Sequence, residues 1–341
     1  MASLTTGVTS LAYGAQHLGM LVPAAVAQRV VRLVGGVAAP TPDRKTIEEL
    51  RKRLRALMAK DLANVEEGLY PRRLLFQVPV GKYARAFPRL VLDFPRSIVR
   101  RRMRAYRDLP DEVDDKLYPP YFRRTFHWQT DGYLSRRSAE LYDVGVEFLF
   151  AGTADVMRRQ VIPPITRWLE ANGGPRGKRL LDVACGTGRT LAQLQLAHPA
   201  LKLYGLDLSP YYVQLARESL DDVALVAENA EAMPFADATF DVVTSTYLFH
   251  ELPKNARRKV LAEMVRVLKP GGLVVIEDSG QLVEAGPIAF FLQRFPEDFH
   301  EPFYAEYLAD DLAIPMAEAG LVNVQTQPCF VAKVIVGDKP R

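Results

Sequence analysis

A chain of 341 residues, 48% hydrophobic and 25% charged, has the balance of a globular protein with one large domain and an accessory region, not of a disordered or fibrous one. Its two cysteines, Cys185 and Cys329, lie far apart and its five histidines are scattered. That excludes a disulfide framework, an iron–sulfur cluster and a zinc-finger pattern, and fits a reducing compartment. The net charge of +4 divides unevenly: residues 1–130 carry 23 Lys and Arg against 12 Asp and Glu, the remainder 21 against 28. Such polarity either meets an anionic partner or is neutralised where the two halves touch.

The first 42 residues hold no acid. Leu18–Val37 is apolar but interrupted by Pro23, Gln28, Arg29 and Arg32, short of the roughly 20 apolar residues of a membrane span. Three readings stay open: an organellar targeting segment, an interfacial helix with Val26, Val30, Leu33 and Val34 on one face, or ordinary packing. Without targeting, a cytoplasmic location is expected. Thr46–Leu69 reads as an amphipathic helix through Ile47, Leu50, Leu54, Leu57, Met58 and Leu62, with Gly68 as its stop. Prolines at 71, 79, 88 and 95 are expected to break Tyr70–Pro95 into short pieces. Arg100, Arg101, Arg102 and Arg104 then form a cluster that either faces an anionic surface or is answered by Asp111, Glu112, Asp114 and Asp115. The aromatic-rich Tyr118–Gly152 puts His127 and Trp128 in a loop. A helix follows from Ser135, a capping residue, with Leu141, Tyr142, Val144 and Phe148 as its apolar stripe. A second helix is expected over Ala154–Leu169.

From there strand and helix alternate, the sign of a parallel sheet covered on both faces. Strands are predicted at Arg179–Val183, Lys202–Asp207, Val223–Ala227, Phe240–Ser245, Gly272–Glu277, Val322–Gln327 and Phe330–Val336. Helices are predicted at Thr190–His198, Pro210–Ser219, Arg257–Leu268 and Leu308–Ala319. Only Pro328 and Cys329 separate the last two strands, too few for a crossover, so they must pair antiparallel. The fold class is therefore α/β: a doubly wound sheet, mostly parallel with an antiparallel last strand. A mainly helical, basic accessory region is expected over residues 1–125, and a second unit over 126–341 with its core sheet in 176–341.

Leu180–Thr190 reads L-L-D-V-A-C-G-T-G-R-T, a buried strand turning into a helix through two glycines. Gly186 and Gly188 permit backbone angles closed to other residues and let the chain approach a ligand. A dinucleotide loop would carry a third small residue where Leu191 stands, so no pyrophosphate cradle is required. A carboxylate at Asp207, ending the second strand, can accept hydrogen bonds from both hydroxyls of a ribose.

These residues resemble motif I of the class I S-adenosylmethionine-dependent methyltransferases, with Ala184 in place of the first loop glycine. The resemblance implies a Rossmann-like seven-stranded sheet and S-adenosyl-L-methionine as cofactor. It places Asp182 at the methionine ammonium, Asp207 at the ribose and Leu208 along the adenine edge. Tyr142 takes the position of a tyrosine that reaches the methionine end. Glu228–Phe235 resembles the family's adenine-contacting segment, with Asn229 where an aspartate is usual and Ala230 following it. Phe240–Val243 and Leu268-Lys269-Pro270-Gly271-Gly272 match further segments, so the likeness spans residues 139–336.

His250 and Glu251 follow the fourth strand, at the carboxyl end where open α/β sheets place ligands. They are the candidate catalytic residues. His250 has the titration range of a general base if the acceptor must lose a proton, and otherwise fixes its loop. No acid stands in Thr244–Thr246, where metal-dependent O-methyltransferases usually place one, so no metal is expected. Phe290–Tyr307 holds seven aromatics in 18 residues, which favours a small, hydrophobic acceptor such as a phenol, a quinone precursor or a lipid. Peripheral membrane contact through the basic front half would suit such an acceptor. The expected activity is methyl transfer to it. The alternatives are a sensor or scaffold that binds S-adenosylmethionine without turnover, and a nucleic-acid methyltransferase, for which only the arginine cluster speaks.

Overall fold

A computed structural model of the chain describes residues 7, 9–19, 43–110, 113 and 116–341. Val26, Val30, Leu33 and Val34, and the acids at 111, 112, 114 and 115, lie outside them.

Seven strands form one sheet: β1 (Arg179–Val183), β2 (Lys202–Asp207), β3 (Val223–Ala227), β4 (Phe240–Thr246), β5 (Leu268–Ser279), β6 (Val322–Cys329) and β7 (Ala332–Asp338). Their order is β3-β2-β1-β4-β5-β7-β6. The first five run parallel, and β7 is antiparallel to both neighbours. Alternate residues feed opposite faces, as the period of a strand demands. Leu180, Val242 and Val275 enter one core cluster, whereas Leu181, Val243 and Ile276 enter the other.

Around the sheet stand α1 (9–19), α2 (Arg44–Glu66), α3 (Val80–Met103), α4 (Arg136–Leu149), α5 (Ala154–Arg158), α6 (Ile162–Ala171), α7 (Arg189–Ala197), α8 (Pro210–Ser219), α9 (Lys254–Val267), α10 (Leu282–Ala285), α11 (Ala289–Asp298), α12 (Tyr304–Ala309) and α13 (Ala313–Glu318). Leu57, Leu69, Tyr70 and Leu74 of the front half pack into the same cluster as Ile162 and Ile165. Beside them the buried Asp61 carboxylate pairs with Arg159 at 2.7 Å and accepts hydrogen bonds from Tyr70 (2.5 Å) and Tyr13. Removing either charge from such a pair would leave the other buried alone. Among the described residues no helix is long and apolar enough to cross a membrane.

Four elements differ from expectation, each for a physical reason. Tyr70–Pro95 does not shatter: a 3₁₀ turn (Arg72–Phe76) precedes α3, which runs 24 residues through Pro88 and Pro95. Those prolines are seven residues apart and both exposed, so the carbonyls they free can bind water. The inner face is held by Ala86 and Leu90 against Leu141 and Val144, and by Lys82–Asp143 and Arg137–Asp93 ion pairs at 2.9 Å. The helix expected over Ala154–Leu169 is interrupted by a 3₁₀ turn at Arg159–Val161, and Pro163 and Pro164 sit in the first turn of α6, where no N–H is needed. The helix expected over Leu308–Ala319 is split into α12 and α13. At the break the Gln281 amide donates to Asp310 O at 2.8 Å and accepts from Leu312 N at 2.9 Å. The β6–β7 turn falls at Phe330-Val331, since Cys329 pairs with Ala332 and Phe330 takes φ 63°.

Candidate active site

The β1–α7 loop turns through three left-handed residues: Ala184 (φ 58°), Gly186 (φ 54°) and Gly188 (φ 82°). Ala184 holds a conformation that favours glycine, which marks the turn as imposed by its surroundings. The two glycines do different work. A Cβ on Gly186 would meet only Tyr212, at 4.0 Å, whereas one on Gly188 would strike Leu220 Cδ1 at 2.5 Å and Ala216 Cβ at 3.3 Å. Gly188 therefore lets α7 approach α8, while its neighbours Thr187 and Arg189 line the cleft.

That cleft, about 900 Å³ of space that is partly open to solvent, lies at the carboxyl ends of the strands, where open α/β sheets place ligands. Ala184, Gly186, Asp207, Leu208, Asn229, Ala230 and Tyr142 all line it. The Asp207 carboxylate accepts from Gly186 N at 2.9 Å and Ser209 N at 2.8 Å, which fixes the glycine loop to β2. Burial pushes its pKa up to about 6, against the pull of those two N–H groups. Asn229 accepts from Glu231 N at 2.9 Å through Oδ1, which retains a second lone pair.

Asp182, in β1 just before the glycine loop, is fully buried, and among the described residues neither carboxylate oxygen has a hydrogen-bond partner. Burial, then the neighbouring Asp207 charge, hold its pKa well above the usual carboxylate range, with Arg158 opposing. At the far end of the cleft Arg158 pairs with Asp155 at 2.8 Å and lies over the Tyr247 ring at 5.6 Å. Thr187 donates to Asp143 at 2.6 Å nearby.

A second cavity of about 570 Å³ shares Tyr142, Tyr247 and Glu251 with the first. Phe291, Phe295 and Tyr304 of the aromatic-rich segment line it, together with two histidines. His250, on the 3₁₀ turn after β4, places Nδ1 at 2.6 Å from Asp278 Oδ1, while Asp278 Oδ2 accepts from Phe249 N at 2.7 Å. Burial alone would lower the His250 pKa, but Asp278 outweighs it and carries it up to about 9. His127 has a left-handed backbone (φ 54°) and sits between two acids, with Nε2 3.1 Å from Glu251 and Nδ1 2.9 Å from Glu301. Burial again opposes the charge and loses: Glu301 and Glu251 carry His127 up to about 10. Tyr133 donates to the same Glu251 oxygen.

His127, Glu251 and Glu301 offer atoms within 4.8 Å of one another, a donor set for a cation. The carboxylates, however, address opposite ring nitrogens, and an imidazole gives a metal only one, so the arrangement is that of an imidazolium clamp.

Of the residues singled out from the sequence, Ala184, Gly186, Asp207, Leu208, Asn229, Ala230, Tyr142 and Glu251 meet at the cleft, and His250 faces the second cavity. His127, Tyr133, Arg158 and Asp278 were not singled out. Asp278 carried a signal, a second acid ending an apolar strand in Glu277-Asp278-Ser279. His127, Tyr133 and Arg158 carried none, because only tertiary structure brings them to the cavities.

The sequence profile of a methyltransferase domain matches residues 181–276. Over 190 residues the chain is 34% identical to a demethylmenaquinone methyltransferase of Anoxybacillus flavithermus, covering 48% of this chain and 79% of that one. Over 221 residues it is 30% identical to a demethylmenaquinone methyltransferase of Thermotoga maritima, covering 59% and 93%. With the seven-stranded order, the glycine loop on Asp207 and these likenesses together, the chain belongs to the class I S-adenosylmethionine-dependent methyltransferases.

Proposed function

We propose that the acceptor is a hydrophobic, hydroxylated aromatic ring of the quinol kind, methylated in the second cavity. The observation that carries this reading is the pair of carboxylate-held histidines, His127 and His250, on a cavity otherwise lined by Phe291, Phe295 and Tyr304. The rings accept a flat apolar molecule. With Nδ1 bound to Asp278, His250 keeps Nε2 for the cavity. As an imidazolium it donates from Nε2 to an acceptor oxygen that enters as the anion, having left its proton in solvent, the form that makes the ring or the oxygen nucleophilic. Glu251, gripped by His127 and Tyr133, fixes the wall shared with the cofactor cleft. The names of the relatives at 30–34% identity support an acceptor of this class.

The cleft fits S-adenosylmethionine on three counts. Asp207 has acceptor capacity left for ribose hydroxyls, Gly186 leaves open space, and the unpartnered Asp182 carboxylate suits an ammonium group. Bound there, the cofactor supplies an electrophilic methyl group on sulfur. Arg158 would hold its carboxylate end. An acceptor of this class dissolves in lipid, so the peripheral membrane contact of the basic front half is part of the proposal.

The test is incubation of the full chain with methyl-labelled S-adenosylmethionine and a chemically reduced, demethylated naphthoquinone, with products resolved by mass spectrometry. Label in the ring product supports the reading. Cofactor binding by calorimetry with no transfer to quinols, phenols or lipids returns the chain to a sensor role.

A further inference from the structure

The outward face of α3 is an amphipathic surface left exposed among the described residues. Ala86, Asp93 and Arg100, seven residues apart, are buried on its inner side. On the outer side Val80, Phe87, Val91, Leu92, Val99 and Met103 recur at helical spacing and are between 40% and 76% exposed. Single exposed apolar residues are ordinary, but six along one face of a 24-residue helix form a continuous stripe.

The charges around the stripe have one sign. Arg85, Arg89 and Arg96 are exposed, with Arg89 keeping most of its surface while it pairs with Glu140. Asp93 is the helix's sole acid, and it is buried, bound to Arg137 and Thr130. The outward face thus presents apolar side chains flanked along one edge by guanidinium groups, and α3 adds no carboxylate to it. Arginines reach a phosphate layer while Val, Leu, Phe and Met enter the acyl boundary, which is how an interfacial helix binds. At 1.5 Å per residue α3 would lie along the surface for roughly 36 Å.

We propose that this face of α3 docks the protein on an anionic lipid surface. The stripe is one helix away from the second cavity. Phe87 meets Phe148 of α4 at 6.4 Å between ring centroids, and Val146 and Leu149 of α4 line that cavity. A lipid-soluble acceptor would therefore have a short path from the bilayer to the site. The inference deepens the membrane contact proposed above, and its test reads lipid binding rather than methyl transfer, so the two fail separately.

The experiment is co-sedimentation of the full chain with vesicles of phosphatidylcholine alone and of phosphatidylcholine with phosphatidylglycerol. Expected is binding to the anionic vesicles that weakens with salt. It should fall at least tenfold in Leu92→Ser/Val99→Ser and in Arg85→Glu/Arg96→Glu, with calorimetric S-adenosylmethionine affinity, the readout of an intact fold, unchanged. The proposal is overturned if the wild type ignores anionic vesicles, or if both variants bind as the wild type does. It is equally overturned if the apolar substitutions abolish a dimer seen by light scattering and leave vesicle binding intact, since the face would then be a self-association surface.

Discussion

His250 Nδ1 lies 2.6 Å from Asp278 Oδ1, and the same carboxylate secures the turn after β4 through the N–H groups of Leu248 and Phe249. The pair raises the His250 pKa from an ordinary 6.5 to about 9. A histidine raised on folding contributes stability that is complete below pH 6.5 and is lost as pH climbs through about 9. Asp278→Asn should therefore cost about 3 kcal/mol at pH 7, as breaking a buried pair does, and distinctly less at pH 10. Urea denaturation at the two pH values measures it. A loss independent of pH would mean that Asp278 acts only through its backbone contacts.

Asp182 makes a second prediction through its missing partner. Burial and the neighbouring Asp207 charge hold its pKa well above the usual carboxylate range in the free protein. An arriving ammonium group favours the carboxylate, so cofactor binding should release a proton. Calorimetry at pH 7.5, where Asp207 at about 6 is already ionised, should give a binding heat that depends on the ionisation enthalpy of the buffer. Asp182→Asn, nearly isosteric, should abolish the dependence. Identical heats in phosphate and Tris for the wild type would remove Asp182 from the ligand.

How much of this was legible in the sequence depended on how local the cause was. β1, β2 and β3 fall at their predicted limits because buried apolar runs bounded by turn residues have one reading. Asp207 was legible for the same reason: it stands where a parallel strand must end. α3 was not, because its prolines say where a helix is weak and nothing about the packing that carries it. The split between α12 and α13 depends on Gln281, some 30 residues earlier, and the His127 clamp joins three remote segments. No periodicity encodes such meetings.

Asp207 carries the third prediction. Asp207→Ala removes the acceptor for two ribose hydroxyls and strands Gly186 N and Ser209 N. Hydrogen bonds to a charged group are worth about 1.5–3 kcal/mol each, so affinity for S-adenosylmethionine should fall by roughly a hundredfold or more. In the wild type, affinity should also decline as pH drops below about 6, where the carboxylate takes up a proton. Titrations from pH 5 to 8 check both. Undiminished affinity in the alanine variant would refute the role given to β2.

Glu301, 2% exposed between α11 and α12, reaches His127 from the segment that covers the second cavity. Its charge and that of Glu251 keep His127 protonated up to about pH 10. The clamp is thus complete below pH 6.5 and released as pH rises through about 10. Glu301→Gln should loosen the covering segment at neutral pH, raising the acceptor KM several-fold while the S-adenosylmethionine affinity holds. A readout free of any acceptor comes from Trp128, whose ring lies 5.0 Å from His300 of the same segment. In a Trp168→Phe background, acrylamide should quench Trp128 more readily after Glu301→Gln, and in the parent as pH approaches 10. Equal quenching at pH 7 in both proteins would show that the covering segment is held by its aromatic packing, with the His127–Glu301 pair contributing nothing to closure.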